Sequence, residues 1–182
     1  MEHKGTKRLE TERLILRPFE ASDGPVIFKN WCGDPEVTKY LTWPTHASVD
    51  VSIRMAAHWA EKSKDPDRYQ WAIVPKALGE PAGSVAVISL REDIRQAEIG
   101  YCLGKTWWGN GWTTEAVREV IRYLIREAGF NRVQAFHDTR NPSSGRVMDK
   151  AGMTFEGILR DAGLNNQGIC DIAMYAILAR EL

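Results

Sequence analysis

Trp108-Gly109-Asn110-Gly111-Trp112-Thr113-Thr114-Glu115-Ala116 joins a strand signal to the most regular helical pattern in the chain. Beyond it, Ala116, Val117, Val120, Ile121, Leu124, Ile125 and Ala128 form one continuous stripe at helical spacing, so a helix is predicted from about Trp112 to Ala128 with Gly129 as its C′ residue. A glycine-rich turn ahead of a helix start has two readings. It is a plain turn before a core helix, or a cradle in which unpaired N–H groups and the helix dipole meet phosphate oxygens. Neither the third glycine and later acidic residue of the dinucleotide fingerprint nor the Gly-Lys-Ser/Thr ending of a P-loop is present.

Working outward, Gln96–Leu103, Gly83–Leu90 and Tyr69–Val74 read as strands of an antiparallel meander. On the N-terminal side, Glu12–Phe19 alternates as a strand, a helix follows Asp23 with Pro25 near its first turn, and a second helix covers Ser48–Lys64. On the C-terminal side come a strand at Arg132–His137, a helix at Asn141–Ala151, and strands at Thr154–Arg160 and Ile169–Leu178 joined by a Gly/Asn turn. Residues up to about Arg8 are expected to fray. This order predicts an α/β (α+β) domain spanning 1–182 around one mixed, mostly antiparallel sheet of about seven strands, with helices on both faces.

Composition narrows the function. The 182 residues hold 24 Lys+Arg against 24 Asp+Glu, so no basic excess argues for nucleic acid. No apolar run approaches membrane-span length, and no leader pattern stands at the N-terminus, which predicts a cytoplasmic protein without membrane contact. Three widely spaced cysteines suggest neither a disulfide framework nor a zinc site, and His46, His58 and His137 lack metal-ligand spacing, so no metal is expected. The Trp31, Trp43, Trp59 and Trp71 rings read as core or as the wall of an acceptor pocket. Glu115, Arg118, Glu119, Arg122 and Arg126 read as a solvated helix face.

Five motifs in order carry a resemblance: Thr11-Glu12-Arg13-Leu14-Ile15-Leu16-Arg17, Ala97-Glu98-Ile99-Gly100-Tyr101, the Gly109–Ala116 turn, Asn141-x-x-Ser144, and Gly152-Met153-Thr154-Phe155-Glu156-Gly157. On them the chain resembles the GNAT superfamily of acetyl-CoA-dependent N-acetyltransferases, in particular the branch of ribosomal-protein alanine N-terminal acetyltransferases. The resemblance implies acetyl-CoA as co-substrate, with its pyrophosphate on Trp108, Gly109, Asn110, Gly111, Trp112, Thr113 and Thr114. It implies a splay between the fourth and fifth strands that takes the pantetheine arm along Tyr101, Cys102 and Leu103. Asn141 and Ser144 are implied beside that arm. Gly100 reads either as a bulge or close-approach glycine or as a packing one, and Asn141 as a ligand contact or a helix cap.

The implied reaction is direct attack of a primary amine, on a protein N-terminus or a small molecule, with a backbone N–H near Leu103 for the oxyanion. Two side chains are catalytic candidates. Glu98 is the base or a plain strand carboxylate. Ser144 is the proton donor to the leaving thiolate or a helix-start hydroxyl, since the position seven residues after Asn141, where many family members carry Tyr, is Met148. The expected assembly is a monomer or homodimer. The competing readings are a CoA-binding regulatory module without turnover and an unrelated phosphate-binding protein.

Overall fold

The computed structural model describes residues 2–182. Its eight strands form one sheet: β1 (Leu9–Glu10), β2 (Leu14–Arg17), β3 (Gln70–Pro75), β4 (Gly83–Arg91), β5 (Gln96–Leu103), β6 (Arg132–Asp138), β7 (Thr154–Asn165) and β8 (Gly168–Leu178), in the order β1-β2-β3-β4-β5-β6-β8-β7. Every pairing is antiparallel except β5 with β6. The helices are α1 (Gly24–Ile27), running on through a π-helical turn at Phe28–Cys32, then α2 (Pro35–Thr38), α3 (Val49–Lys62), α4 (Trp112–Arg126) and α5 (Pro142–Lys150). Among the described residues, no helix is long and apolar enough to cross a membrane.

Strand alternation divides the core into two layers. Leu14, Leu16, Trp71, Ile73, Ala97 and Ile99 pack with the buried stripe of α4 and with Met148 of α5. Their neighbours Ile15, Ala72, Val74 and Cys102 pack with Ile27, Trp31, Cys32 and Ala56 on the other face. A period of two along each strand thus buries both faces, which a sheet covered by helices on both sides requires. Within α3 the buried positions are Ser52 and Ala56, whereas Val49 and Ile53 stay partly exposed at 36% and 41%.

Two expectations change. The count is eight strands, because Leu9–Glu10 pairs with Ile15–Leu16. The first residues are also tied down rather than frayed. Tyr123 Oη donates to Gly5 O at 2.8 Å, Trp71 Nε1 to Lys7 O at 2.7 Å, and Gln70 N to Thr6 Oγ1 at 2.9 Å. Tyr69, Trp71 and Tyr123 are buried rings whose polar tips need partners, and the N-terminal backbone supplies them.

Candidate active site

Strands β5 and β6 pair only over Gln96–Glu98 with Arg132–Gln134, then separate, although β5 runs on to Leu103 and β6 to Asp138. This is the expected splay, between the fifth and sixth strands once β1 is counted. Gly104 N donates to Ala82 O at 2.8 Å, and Cys102 lies opposite Ser84. Alternation in an antiparallel ladder then turns the N–H groups of Tyr101 and Leu103 away from β4, toward the open side. A ligand carrying amides meets an unpaired strand edge there. Leu103 O is taken by Trp108 Nε1 at 2.7 Å, which ties the half-exposed Trp108 to the end of that edge.

At one mouth of the splay lies the glycine turn. Gly109 and Gly111 sit at φ +84° and +79°, a region that disfavours side chains. A Cβ on Gly109 would meet nothing within 4 Å, so packing does not demand this glycine. No side chain caps α4 at Gly111. The first-turn N–H groups of Trp112, Thr113 and Thr114 are therefore free for an outside acceptor. An exposed left-handed turn with open space before an uncapped helix start fits the pyrophosphate of acetyl-CoA. Those N–H groups, with Gly109, Asn110 and Gly111, would hold it.

Arg13, a member of the Thr11–Arg17 motif to which no site role was attached, completes this end. Its guanidinium donates to Asn110 O at 3.0 Å and to Glu115 Oε2 at 2.6 Å, while its backbone N–H donates to Glu115 Oε1 at 2.9 Å. Thr11 Oγ1 adds a 2.6 Å bond to Glu115. Glu115 is therefore no solvated helix residue. Burial pushes its carboxyl up, and the bonds from Thr11 and Arg13 outweigh that and hold it below the ordinary carboxylate range. The Thr11-Glu12-Arg13 motif was the available signal, since it belongs to a turn that grips the cradle.

In the throat of the splay, Tyr101 Oη donates to Ser144 O at 2.9 Å and lies 2.9 Å from Ser144 Oγ, whose hydroxyl donates back to it. Burial pushes the phenol's pKa well up, against the smaller opposite effect of the Ser144 bond, so it stays protonated. Asn141 precedes α5 but makes no side-chain cap, and its side chain lines the cleft beside Ser144. Of its two readings, capping is removed. Cys102 also lines the cleft, 3.4 Å from Ser84 Oγ, and burial raises its thiol pKa, which keeps it protonated and poorly nucleophilic. Gly100 faces Ile88, the residue bulged between Val87 and Ser89, with a built Cβ 3.4 Å from Ile88 Cγ2. The bulge is on the partner strand.

Glu98 is not brought to the cleft. It occupies the last paired rung before the strands part, opposite Gln134, and its carboxylate accepts Gln134 Nε2 at 2.6 Å. Gln134 in turn accepts from Arg132 Nε at 3.1 Å, and Arg132 pairs with Glu156, forming a polar row along the sheet.

The cleft, about 740 Å³ with the Tyr101–Ser144 throat included, extends between the Tyr40–Pro44 loop, α3 and strands β4, β5 and β6. His46 accepts or donates at 2.7 Å to Ser52 Oγ, and burial lowers its pKa, so the ring is neutral near pH 7. Asp138 closes the far wall. Arg140 binds it in a fork, Nε to Oδ1 at 3.0 Å and Nη2 to Oδ2 at 2.6 Å, and Asn165 Nδ2 adds a 2.8 Å bond. The Arg140 guanidinium holds that buried carboxyl far below its usual range. Among the described residues, no group of three or more His, Cys, Asp or Glu side chains is placed to hold a metal ion.

Residues 13–154 match the family model of the acetyltransferase (GNAT) domain. The uncharacterized N-acetyltransferase p20 of Bacillus licheniformis is 32% identical over 173 residues, covering 95% of this chain and 97% of that protein. The ribosomal-protein-S5-alanine acetyltransferase of Vibrio fischeri superposes with a TM-score of 0.83 at 19% identity, over 95% of this chain and 97% of that one. The microcin C7 self-immunity acetyltransferase MccE, solved in complex with acetyl-CoA and AMP, gives 0.81 at 20% identity, over 92% and 93%. At such identities these two structures show the shared fold.

Proposed function

Because this chain belongs to the GNAT acetyltransferase family and is an acetyl-CoA-dependent acyltransferase, we propose that it transfers the acetyl group directly to a primary amine held in the 740 Å³ cleft. The observation that carries this reading is the Tyr101–Ser144 pair, which lines that cleft in the splay between β5 and β6. Acetyl-CoA supplies an activated acyl carbon on a sulfur leaving group. The protein supplies the rest. The amine nitrogen, as its neutral form, bonds to that carbon while the carbonyl oxygen takes negative charge. The free N–H of Leu103 is the donor aimed along the open strand edge to meet it.

The carbonyl re-forms, the carbon–sulfur bond breaks, and Ser144 Oγ, turned away from Tyr101, passes its proton to the sulfur while regaining, through water, the proton that the amine nitrogen loses. Tyr101, held protonated, re-forms the bond to Ser144 and keeps its hydroxyl at the splay. A thiol with a pKa of about 8.5 needs little help from an acid. An α-amine with a pKa of about 7.7 to 8.0 is partly neutral near pH 7, so water suffices to take its proton and no side-chain base is required. That agrees with Glu98 being tied to Gln134 outside the cleft.

The test is release of the CoA thiol from acetyl-CoA on adding N-terminal peptides and small amines. The expected result is amine-dependent release well above hydrolysis. Acetyl-CoA binding without any amine-dependent release, across both classes, would favour a binding module instead.

A further inference from the structure

We propose that the Thr38–Thr45 loop, pinned in place by Asn166, selects amines with a single charge and an apolar or aromatic body against polycations. This rests on the transfer reading above and names its acceptor class. The loop is closed at its base by a 2.6 Å bond between Thr38 Oγ1 and Thr45 Oγ1, and Thr38 is buried. Its outer part reaches over the cleft and would have no anchor of its own. Asn166, at the turn of the β7–β8 hairpin, supplies one from the far side. Its Nδ2 donates to Thr38 O at 2.9 Å and to Trp43 O at 2.8 Å, and its backbone N–H donates to Leu41 O at 3.2 Å. The hairpin is itself fastened next door by Asn165 to Asp138. Two chain segments more than a hundred residues apart are thus joined, and Asn166 holds the loop by two side-chain bonds and one backbone bond.

Charge and shape of the enclosed space give the acceptor class. Among the described residues lining the cleft, Asp138 is the one carboxylate, and its oxygens are already taken by Arg140 and Asn165. Lys62 and Arg68 also stand at the rim, each paired with an aspartate outside the cleft lining, Lys62 Nζ 3.2 Å from Asp65 Oδ2 and Arg68 Nε 3.9 Å from Asp67 Oδ1. A polyamine entering there would shed water from several ammonium groups without meeting a free anion. An amine with an aromatic body meets Tyr40, Leu41, Trp43, Met55 and Trp59 instead, and buries apolar surface against them. Trp43 rests against His46 with the rings tilted at 50° and their centroids 5.5 Å apart. Its carbonyl is one of the two that Asn166 Nδ2 grips, so Asn166 acts on the acceptor through the loop. It is a positioning residue.

Calorimetric titration of CoA-saturated protein with 2-phenylethylamine and with spermidine tests this without relying on turnover. The expected result is 2-phenylethylamine binding at least about tenfold more tightly than spermidine. Asn166→Ala and Asn166→Asp, the second of similar size but lacking the Nδ2 donor, should each weaken 2-phenylethylamine about fivefold or more and leave CoA affinity within about twofold. In turnover the same change appears as a higher KM for the amine with kcat kept. Spermidine binding as tightly, wild-type protein binding neither amine, wild-type amine affinity in the Asn166 variants, or a parallel loss of CoA affinity would each overturn the proposal. The expected binding pattern without thiol release would uphold it and count against acetyl transfer.

Discussion

The two ends of the cleft are built from different material. At the cradle end the proposed binding is by backbone: left-handed Gly109 and Gly111 and the uncapped start of α4 would present N–H groups, with Arg13 and Glu115 bracing the turn. At the acceptor end, side chains from four distant segments meet, namely the Thr38–Thr45 loop, α3, the end of β6 and the β7–β8 turn. A backbone cradle tolerates substitution wherever φ and space allow it. A side-chain pocket is rewritten by each replacement. On this proposal one end holds the same acetyl-CoA while the other is free to change its amine.

The sharpest way to break this contrast is Gly111→Val, which forces a β-branched residue to φ near +79°. Acetyl-CoA affinity should fall about thirtyfold or more in a calorimetric titration with the fold retained; unchanged affinity would move the phosphates elsewhere. At the other end, Asp138→Asn removes the carboxylate that Arg140 and Asn165 grip. It should cost about 1–3 kcal/mol at pH 7 by urea unfolding, with CoA affinity of the folded protein kept. The sign of the pH effect follows from a folded pKa below the unfolded value of about 3.9. The stabilisation is present above that value and is lost as pH falls below it, so wild type and variant should converge in acid. A gap that persists unchanged would mean that charge is not what Asp138 contributes.

The throat joins the two ends and should respond more mildly. Ser144→Ala is expected to lower kcat about tenfold with both KM values within about twofold, and Tyr101→Phe should do little further in that background. Additive losses would separate the two hydroxyls. The smallest change belongs to Glu98→Gln, under about threefold in kcat with an unaltered pH profile. A pH profile that loses its acid limb would return Glu98 to the role of base.

Legibility in the sequence follows the same division. The α4 stripe, the glycine turn and the strands from Tyr69 to Leu103 could be read because they are local and periodic. Ser144 and Asn141 came with the family resemblance, not from spacing. Arg13 looked like one more residue of an alternating strand, because its partners Asn110 and Glu115 lie about a hundred positions away. Glu98 shared a face with Gly100 and Cys102 by alternation, but alternation carries no information on where two strands part. Asn166 looked like turn chemistry, which it is, and its side chain found a second use only through tertiary contact. Leu9–Glu10 fell in the gap between the end expected to fray at about Arg8 and the strand expected from Glu12, although three buried aromatic tips needed the backbone beside it.

The most direct measurement runs both variants through one assay: steady-state KM for acetyl-CoA and for an amine acceptor in Gly111→Val and Asn166→Ala. The account predicts a crossed result. Gly111→Val raises KM for acetyl-CoA and spares that of the amine, and Asn166→Ala does the reverse. Variants that raise both constants alike would contradict two separately built ends.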